Sequence, residues 1–211
     1  GNPHYNYIFW DIETDQNSKF TCDAPNYGPH SSNEEPLCLS CKNRICGQNI
    51  HEPVFCCLVK VCKVCIDDMS EDKKCLQCGE PCDSCKNSKD LCLIGSCGTR
   101  VRTFSYPSIK EDLTKWLFSE RNQGYTLIAH NSQSFDLYLI IQWILSSGCK
   151  ISEVIYRGCK ILSLSINSLK MKFIDSLMFF RCSLAKLPSV WGLEEVKGCF
   201  PFSFISKSHM A

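Results

Sequence analysis

No run of apolar residues in the chain approaches the roughly 20 that a helical membrane span needs, so no membrane association is expected. Gly1 to Asn6 is polar and no apolar run follows it, which is not the pattern of a signal peptide. Charge of one sign is also missing. Twenty-three basic and 22 acidic residues leave a net charge of +1. A nucleic-acid role would therefore rest on a local site rather than on an overall basic surface. The 211 residues are 44% hydrophobic and 21% charged. That is ordinary for a globular chain and enough for a real core, in one large domain or one domain carrying an insertion.

Cysteine is what the chain has in excess: eighteen, of which thirteen lie between Cys38 and Cys97. In a short secreted chain such a count would suggest a disulfide scaffold. Here the spacing points to metal instead. Four Cys-x-x-Cys pairs occur, at Cys38/Cys41, Cys62/Cys65, Cys75/Cys78 and Cys82/Cys85, joined by Cys46, Cys56, Cys57, Cys92, Cys97 and His51. A Cys-x-x-Cys turn puts two thiolates on one zinc, and two such pairs complete a tetrahedral site. The reading is a reduced, intracellular chain with at least two structural zinc ions, whose order in sequence leaves the pairing open. The block has little apolar periodicity, so metal is expected to supply much of its folding energy. Its zincs are read as scaffolding, with a grip on nucleic acid or a protein partner as a possible overlay. Cys22, Cys149, Cys159, Cys182 and Cys199 are read as core residues.

Outside the cysteine block the pattern is α/β. Residues 7–15, YIFWDIETD, form an apolar strand, and the Pro- and Asn-rich stretch 23–37 reads as a linker. After Arg100, the spacing of Leu113, Trp116 and Leu117 predicts a helix over 109–123 closed by Gly124. Thr126–Ala129 reads as a buried strand, and Phe135–Ser147 as a helix closed by Gly148. Residues 161–166 and 169–177 alternate with period two, as a hairpin around Asn167 and Ser168. A last helix is expected over Leu184–Val190, capped by Ser183. The α/β body is then 1–37 with 98–211, and 38–97 is a zinc-binding insertion.

Asp11 and Glu13 are two apart on a strand and point to one side of it. Two anions so placed repel unless a cation lies between them, and a divalent metal answers that need. In AHNSQSFD (129–136), Asp136 opens the helix that follows a buried strand, beside the end of a neighbouring one. Asp175 in FIDSL leaves a strand, and reads more readily as a turn residue than as a ligand.

Together these stretches resemble the exonuclease domain of family B DNA polymerases. Asp-Ile-Glu-Thr is similar to the first exonuclease motif, and HNSQSFD to the second. The run IDSL…FRCSLAKLPSVWGLEEVKGCFPFSF resembles a segment of the protein-primed branch, which includes adenoviral, linear-plasmid and Polinton/Maverick enzymes. HEPVFCCLVKVCKVC (51–65) and CGTRVRTF (97–104) resemble the cysteine-bearing insertion of the Polinton type. The resemblance implies a ribonuclease-H-like fold with an inserted zinc module, and 3′–5′ exonuclease chemistry with two Mg2+ or Mn2+ ions. Asp11, Glu13 and Asp136 would bind the two metals, which activate the attacking water and stabilise the leaving 3′ oxygen. Thr14, Asn131, Phe135, Ser176 and Leu177 match positions that hold a single-stranded 3′ end, and Lys197 matches a lysine that assists the scissile phosphate. Among the zinc candidates, Cys38, Cys41, Cys62, Cys65, Cys75, Cys78, Cys82, Cys85 and Cys97 form the preferred ligand set. The implied setting is viral replication or the nucleus.

One element of the family pattern is missing. The third motif, Tyr-x-x-x-Asp, would complete the first metal site, yet no Asp, Glu or Tyr follows position 200. Either the last helix lies beyond Ala211, or the chain is a domesticated remnant that binds a protein or single-stranded nucleic acid without cutting it. Asp175, Glu194 and Glu195 are the candidate acids to compensate for it.

Overall fold

Alternation along the first strand sets the architecture. β1 (Tyr7–Asp15) buries Ile8, Trp10 and Ile12 on one face and turns Phe9, Asp11 and Glu13 to the other. The computed structural model describes residues 6–16, 18–26, 38–42, 46–64, 91–92, 95 and 97–194. The further strands are β2 (Glu52–Val61), β3 (Leu91–Cys92), β4 (Gly98–Thr99), β5 (Val101–Ser105), β6 (Thr126–Ala129), β7 (Glu153–Arg157), β8 (Lys160–Ile166) and β9 (Met171–Asp175). The helices α1 (Ile109–Leu117), α2 (Asp136–Ser146) and α3 (Leu187–Val190) follow the same chain order.

Seven strands form one mixed sheet in the order β5-β2-β1-β6-β9-β8-β7, and β3 with β4 form a separate pair. β1 is parallel to β6, and β6 to β9; the other neighbours are antiparallel. The core lies on the Trp10 side. Ile8, Trp10 and Ile12 meet Leu113 and Leu117 of α1, Ile140 and Ile144 of α2, and Phe173 of β9 in one buried cluster. Trp10 and Phe173 pack edge to face at 6.5 Å. Phe173 is fully buried, so truncating it to alanine would cost about 3–5 kcal/mol. No helix among the described residues is long and apolar enough to cross a membrane.

Residues 52–61, inside the stretch assigned to the cysteine block, are a strand of this sheet, between β1 and β5. Val54, Cys56 and Leu58 alternate into the core, so Cys56 is a packing residue rather than a zinc ligand. Lys60 continues that inward row and is almost wholly buried. Its Nζ donates to Asn122 Oδ1 at 2.8 Å and lies 4.3 Å from the Tyr125 ring. Burial pushes its pKa down, and Arg121 and Arg102 push in the same direction against the opposing thiols Cys97 and Cys62.

Asn122 also explains where α1 stops. The helix ends at Leu117 instead of running to 123, because the Trp116 carbonyl accepts from Ser119 Oγ and Asn122 Nδ2, both at 2.7 Å. The expected hairpin is present as β8 and β9, closed by a single 3-10 turn at Asn167–Leu169 with Lys170 left-handed at φ 50°. The last helical segment starts as a 3-10 turn at Leu184–Lys186, and Ser183 makes no side-chain cap there. β7 carries no alternation that the sequence advertises: four of its five residues are exposed.

Candidate functional site

At the C-terminal end of β1 the ladder with β2 slips between Glu13 and Thr14, where Glu13 faces Phe55 and Thr14 faces Pro53. Such a bulge bends the strand and re-aims the side chains beside it. Asp11 is exposed and Glu13 half-buried on the face opposite the core. Asp136 is the first residue of α2, reached from the neighbouring parallel strand β6 through the loop 130–135. Its carboxyl is pushed up to about 7, first by burial, then by the negative charges of Asp11, Glu13 and Asp175. The three sequence-predicted acids therefore share one electrostatic site, and a cation would relieve it. Among the described residues, however, the groups of three or more whose ligand atoms all lie within 4.8 Å of one another are cysteine clusters, and the three carboxylates stand further apart.

The loop before Asp136 is organised from below by Asp175. This carboxylate is fully buried. Oδ1 accepts from the Asn131 and Leu177 amides at 2.9 and 2.8 Å, and Oδ2 from the Gln133 amide at 2.9 Å. Asn131 sits left-handed at φ 65°, a conformation asparagine tolerates better than most residues. With both oxygens accepting backbone N–H groups, Asp175 holds the loop in place. Ser176, next in sequence, donates from Oγ to the Ala129 carbonyl at 3.2 Å and lies 2.9 Å from His130 Nδ1. His130 Nε2–H donates to the Cys182 carbonyl at 2.9 Å.

Thr14 and Phe135, from different elements, both meet His51. The Thr14 hydroxyl is 3.3 Å from His51 Nδ1, and the His51 and Phe135 rings are 4.5 Å apart. His51, grouped with the zinc candidates on spacing, thus belongs to the acidic edge. Beside Asp11, a groove of about 710 Å3 runs along the sheet face opposite the core, lined by Phe9, Ile128, Ile174, Phe179 and Phe180. Leu177 lines a second cavity of about 610 Å3 together with Gln133, Arg157, Lys160 and Arg181. Arg157 and Lys160 are register partners at the tip of the β7–β8 hairpin, an arrangement of like charges that costs stability. Among the described residues none of these three cations has an acidic partner. Sequence reasoning missed them, because three basic residues on a hairpin and a later loop make no motif.

Among the described residues the cysteines form two clusters. Cys22, Cys38, Cys41 and Cys46 have all four sulfurs within 4.8 Å of one another, and so do Cys62, Cys92 and Cys97. The Cys22–Cys38 and Cys62–Cys92 sulfur separations are 3.7 and 3.9 Å. Two thiolates on a tetrahedral zinc, each at about 2.3 Å, stand about 3.8 Å apart. The Cys38 thiol is pushed down to about 6, chiefly by the Cys41 amide pointing at its sulfur, while burial and Cys38 push Cys22 up to about 12. In the second cluster the Gly95 amide donates to Cys92 Sγ at 3.1 Å. A Cβ at Gly95 would lie 2.3 Å from Cys62 Sγ, so only glycine fits. These clusters could hold zinc. Cys22, expected in the core, is a member of the first; Cys57 stays in the sheet opposite Asp11. Cys65, Cys75, Cys78, Cys82, Cys85, Lys197 and Glu195 lie outside the described residues.

No curated protein and no solved structure matches the chain. A family model described as DNA polymerase type B, organellar and viral, matches residues 118–211. That stretch carries Asn131, Phe135, Asp136, Ser176 and Leu177, and begins after the strand that carries Asp11 and Glu13.

Proposed function

We propose that the chain is a ribonuclease-H-like 3′–5′ exonuclease module of the protein-primed family B type, acting on a single-stranded DNA 3′ end. One observation carries this reading. Asp11 and Glu13 on β1 and Asp136 at the start of α2 press on one another electrostatically at the edge where β1 and β6 run parallel. The sheet order supports the fold, with an antiparallel run β5-β2-β1 joined to the parallel strands β6 and β9. The family match over 118–211 supports the polymerase lineage and a nucleic-acid ligand in replication.

Two divalent ions, Mg2+ or Mn2+, held by Asp11, Glu13 and Asp136 would supply Lewis acidity to a phosphodiester. The chain's own residues bind and orient. Phe135 and the groove aromatics Phe179 and Phe180 offer faces for bases, each stacked base worth about 1–3 kcal/mol. Asn131, Ser176 and Leu177 fix the loops that flank the 3′ end, and Arg157, Lys160 and Arg181 receive the phosphates further along the strand. Lys197 is assigned the scissile phosphate from its motif.

A second reading, a non-cutting module of the same fold that binds single-stranded nucleic acid or a protein, rests on the aromatic groove and the three cations, which serve binding without cutting. Incubation with a 5′-labelled single strand and Mn2+ separates the two. A ladder of shortened products, lost in the Asp11→Ala/Glu13→Ala double variant, is the expected result. Retained strand binding without a ladder gives the second reading, and an equal ladder from the double variant overturns the first.

A further inference from the structure

We infer that Cys22, Cys38, Cys41 and Cys46 form a four-thiolate zinc site that clasps the β1–β2 connection and thereby holds His51 against Thr14 and Phe135. The sequence hides this site, because Cys22 stands far from any other cysteine and outside every Cys-x-x-Cys pair. Backbone pairing brings it in. Beyond β1 and β2 the antiparallel ladder continues: Ile50 N donates to Ser18 O at 2.8 Å, Lys19 bridges Asn49, Phe20 N donates to Gln48 O at 3.1 Å, and Gly47 N donates to Phe20 O. This extension delivers Cys22 and Cys46 to the same end from opposite strands. The turn Cys38–Cys41 closes over them, tied down by Leu39 N to Asn26 O at 2.7 Å and by Lys42 N to Cys38 O at 2.8 Å.

The result is four sulfurs, two of them buried, with all pairs inside 4.8 Å. Hydrophobic packing does not account for it: neither buried apolar cluster of the described residues includes these cysteines. Four thiols converging without a core around them are what a soft, tetrahedral divalent ion selects. The ion would add its binding energy to the stability of the ladder extension.

The consequence reaches the acidic edge through chain connectivity. His51 lies between the Asn49 bridge and the Glu52–Asp15 pair, so its place is set by ladder on both sides. Releasing the clasp frees one of those two anchors. The ring contact with Phe135, one residue before Asp136, would loosen with it.

The test uses the full chain and zinc as the probe. Cys22→Ser should lower bound zinc by one ion per chain, measured by atomic absorption, and Cys22→His should keep it. Cobalt substitution should show thiolate charge-transfer absorption that falls by one thiolate's share from the parent to Cys22→His. Amide exchange at Phe20, Gly47 and Ile50 should speed at least tenfold in Cys22→Ser, and the His51–Phe135 ring contact seen by NMR should be lost. Exchange at Leu127 and Phe173 should not change, which shows that the sheet is intact. Unchanged zinc content in Cys22→Ser overturns the site. Zinc loss with unchanged exchange and an unchanged ring contact overturns the clasp.

Discussion

The carboxylate of Asp175 accepts the backbone N–H of Asn131, binding the end of β9 to the loop that leads into Asp136. Gln133 and Leu177 donate to the same carboxylate. Replacement by asparagine turns an acceptor toward three donors into a group that is itself half donor. The expected cost is about 3 kcal/mol, from lost charge-assisted bonds and an unsatisfied buried N–H. For a domain of this size that lowers Tm by about 6–12 °C. Calorimetry of Asp175→Asn checks it, and a change under 1 kcal/mol would show that the loop is held by something else.

Asp136 makes stability depend on pH in a direction opposite to most acids. Its pKa is pushed from 3.8 up to about 7, so between those values the folded chain binds more protons than the unfolded one. Stability then falls as pH rises through that window and levels off above it. Asp136→Asn should flatten this slope and be the more stable protein at about pH 8. Mn2+ should raise the Tm of the parent at that pH and leave Asp136→Asn nearly unchanged. Denaturation of both proteins at about pH 4 and about pH 8, with and without the ion, decides the matter; a parent whose stability rises with pH would contradict the shared acidic site.

The acidic edge was legible in the sequence because strand geometry is simple. Residues two apart share a face, and an acid opening the next helix lands beside a neighbouring strand end. β2 was not, although Val54, Cys56 and Leu58 alternate as a strand should. Two adjacent cysteines drew that stretch toward the zinc reading, and the buried Lys60 broke the apolar row. Cys22 was illegible for another reason: only pairing of 18–20 with 47–50 brings it to Cys38. Asp175 was read as a turn residue. Its position in sequence supports that, but the three N–H groups it holds come together only in space.

Gly95→Ala should empty the second cysteine cluster while leaving the first filled. A Cβ there would stand 2.3 Å from Cys62 Sγ and 2.9 Å from Cys92 Sγ, with the β-carbon of Val64 at 3.2 Å on the same side. A thiolate shifted by even a few tenths of an ångström leaves tetrahedral zinc geometry, whose bond lengths are tight. The expected outcome is loss of one zinc per chain, by metal analysis, with the circular dichroism of the main sheet retained. Full zinc content in this variant would mean that Cys62, Cys92 and Cys97 are not ligands to a common ion.

The cations Arg157, Lys160 and Arg181 give the nucleic-acid reading its most direct check. Two of them face each other across a hairpin register, a repulsion that a bound anion would relieve. If they bind phosphates, binding of a single strand releases counterions in proportion to the contacts made. Changing all three to alanine should weaken oligonucleotide binding and reduce the slope of log Kd against log salt by ~2, at ~0.7 per contact. The loss should be similar for different base sequences, because phosphates carry no sequence information. The zinc content and the Tm response to Mn2+ should be unaffected, since neither cysteine cluster nor the acidic edge includes these residues. An unchanged salt slope would assign the three cations to solvation alone.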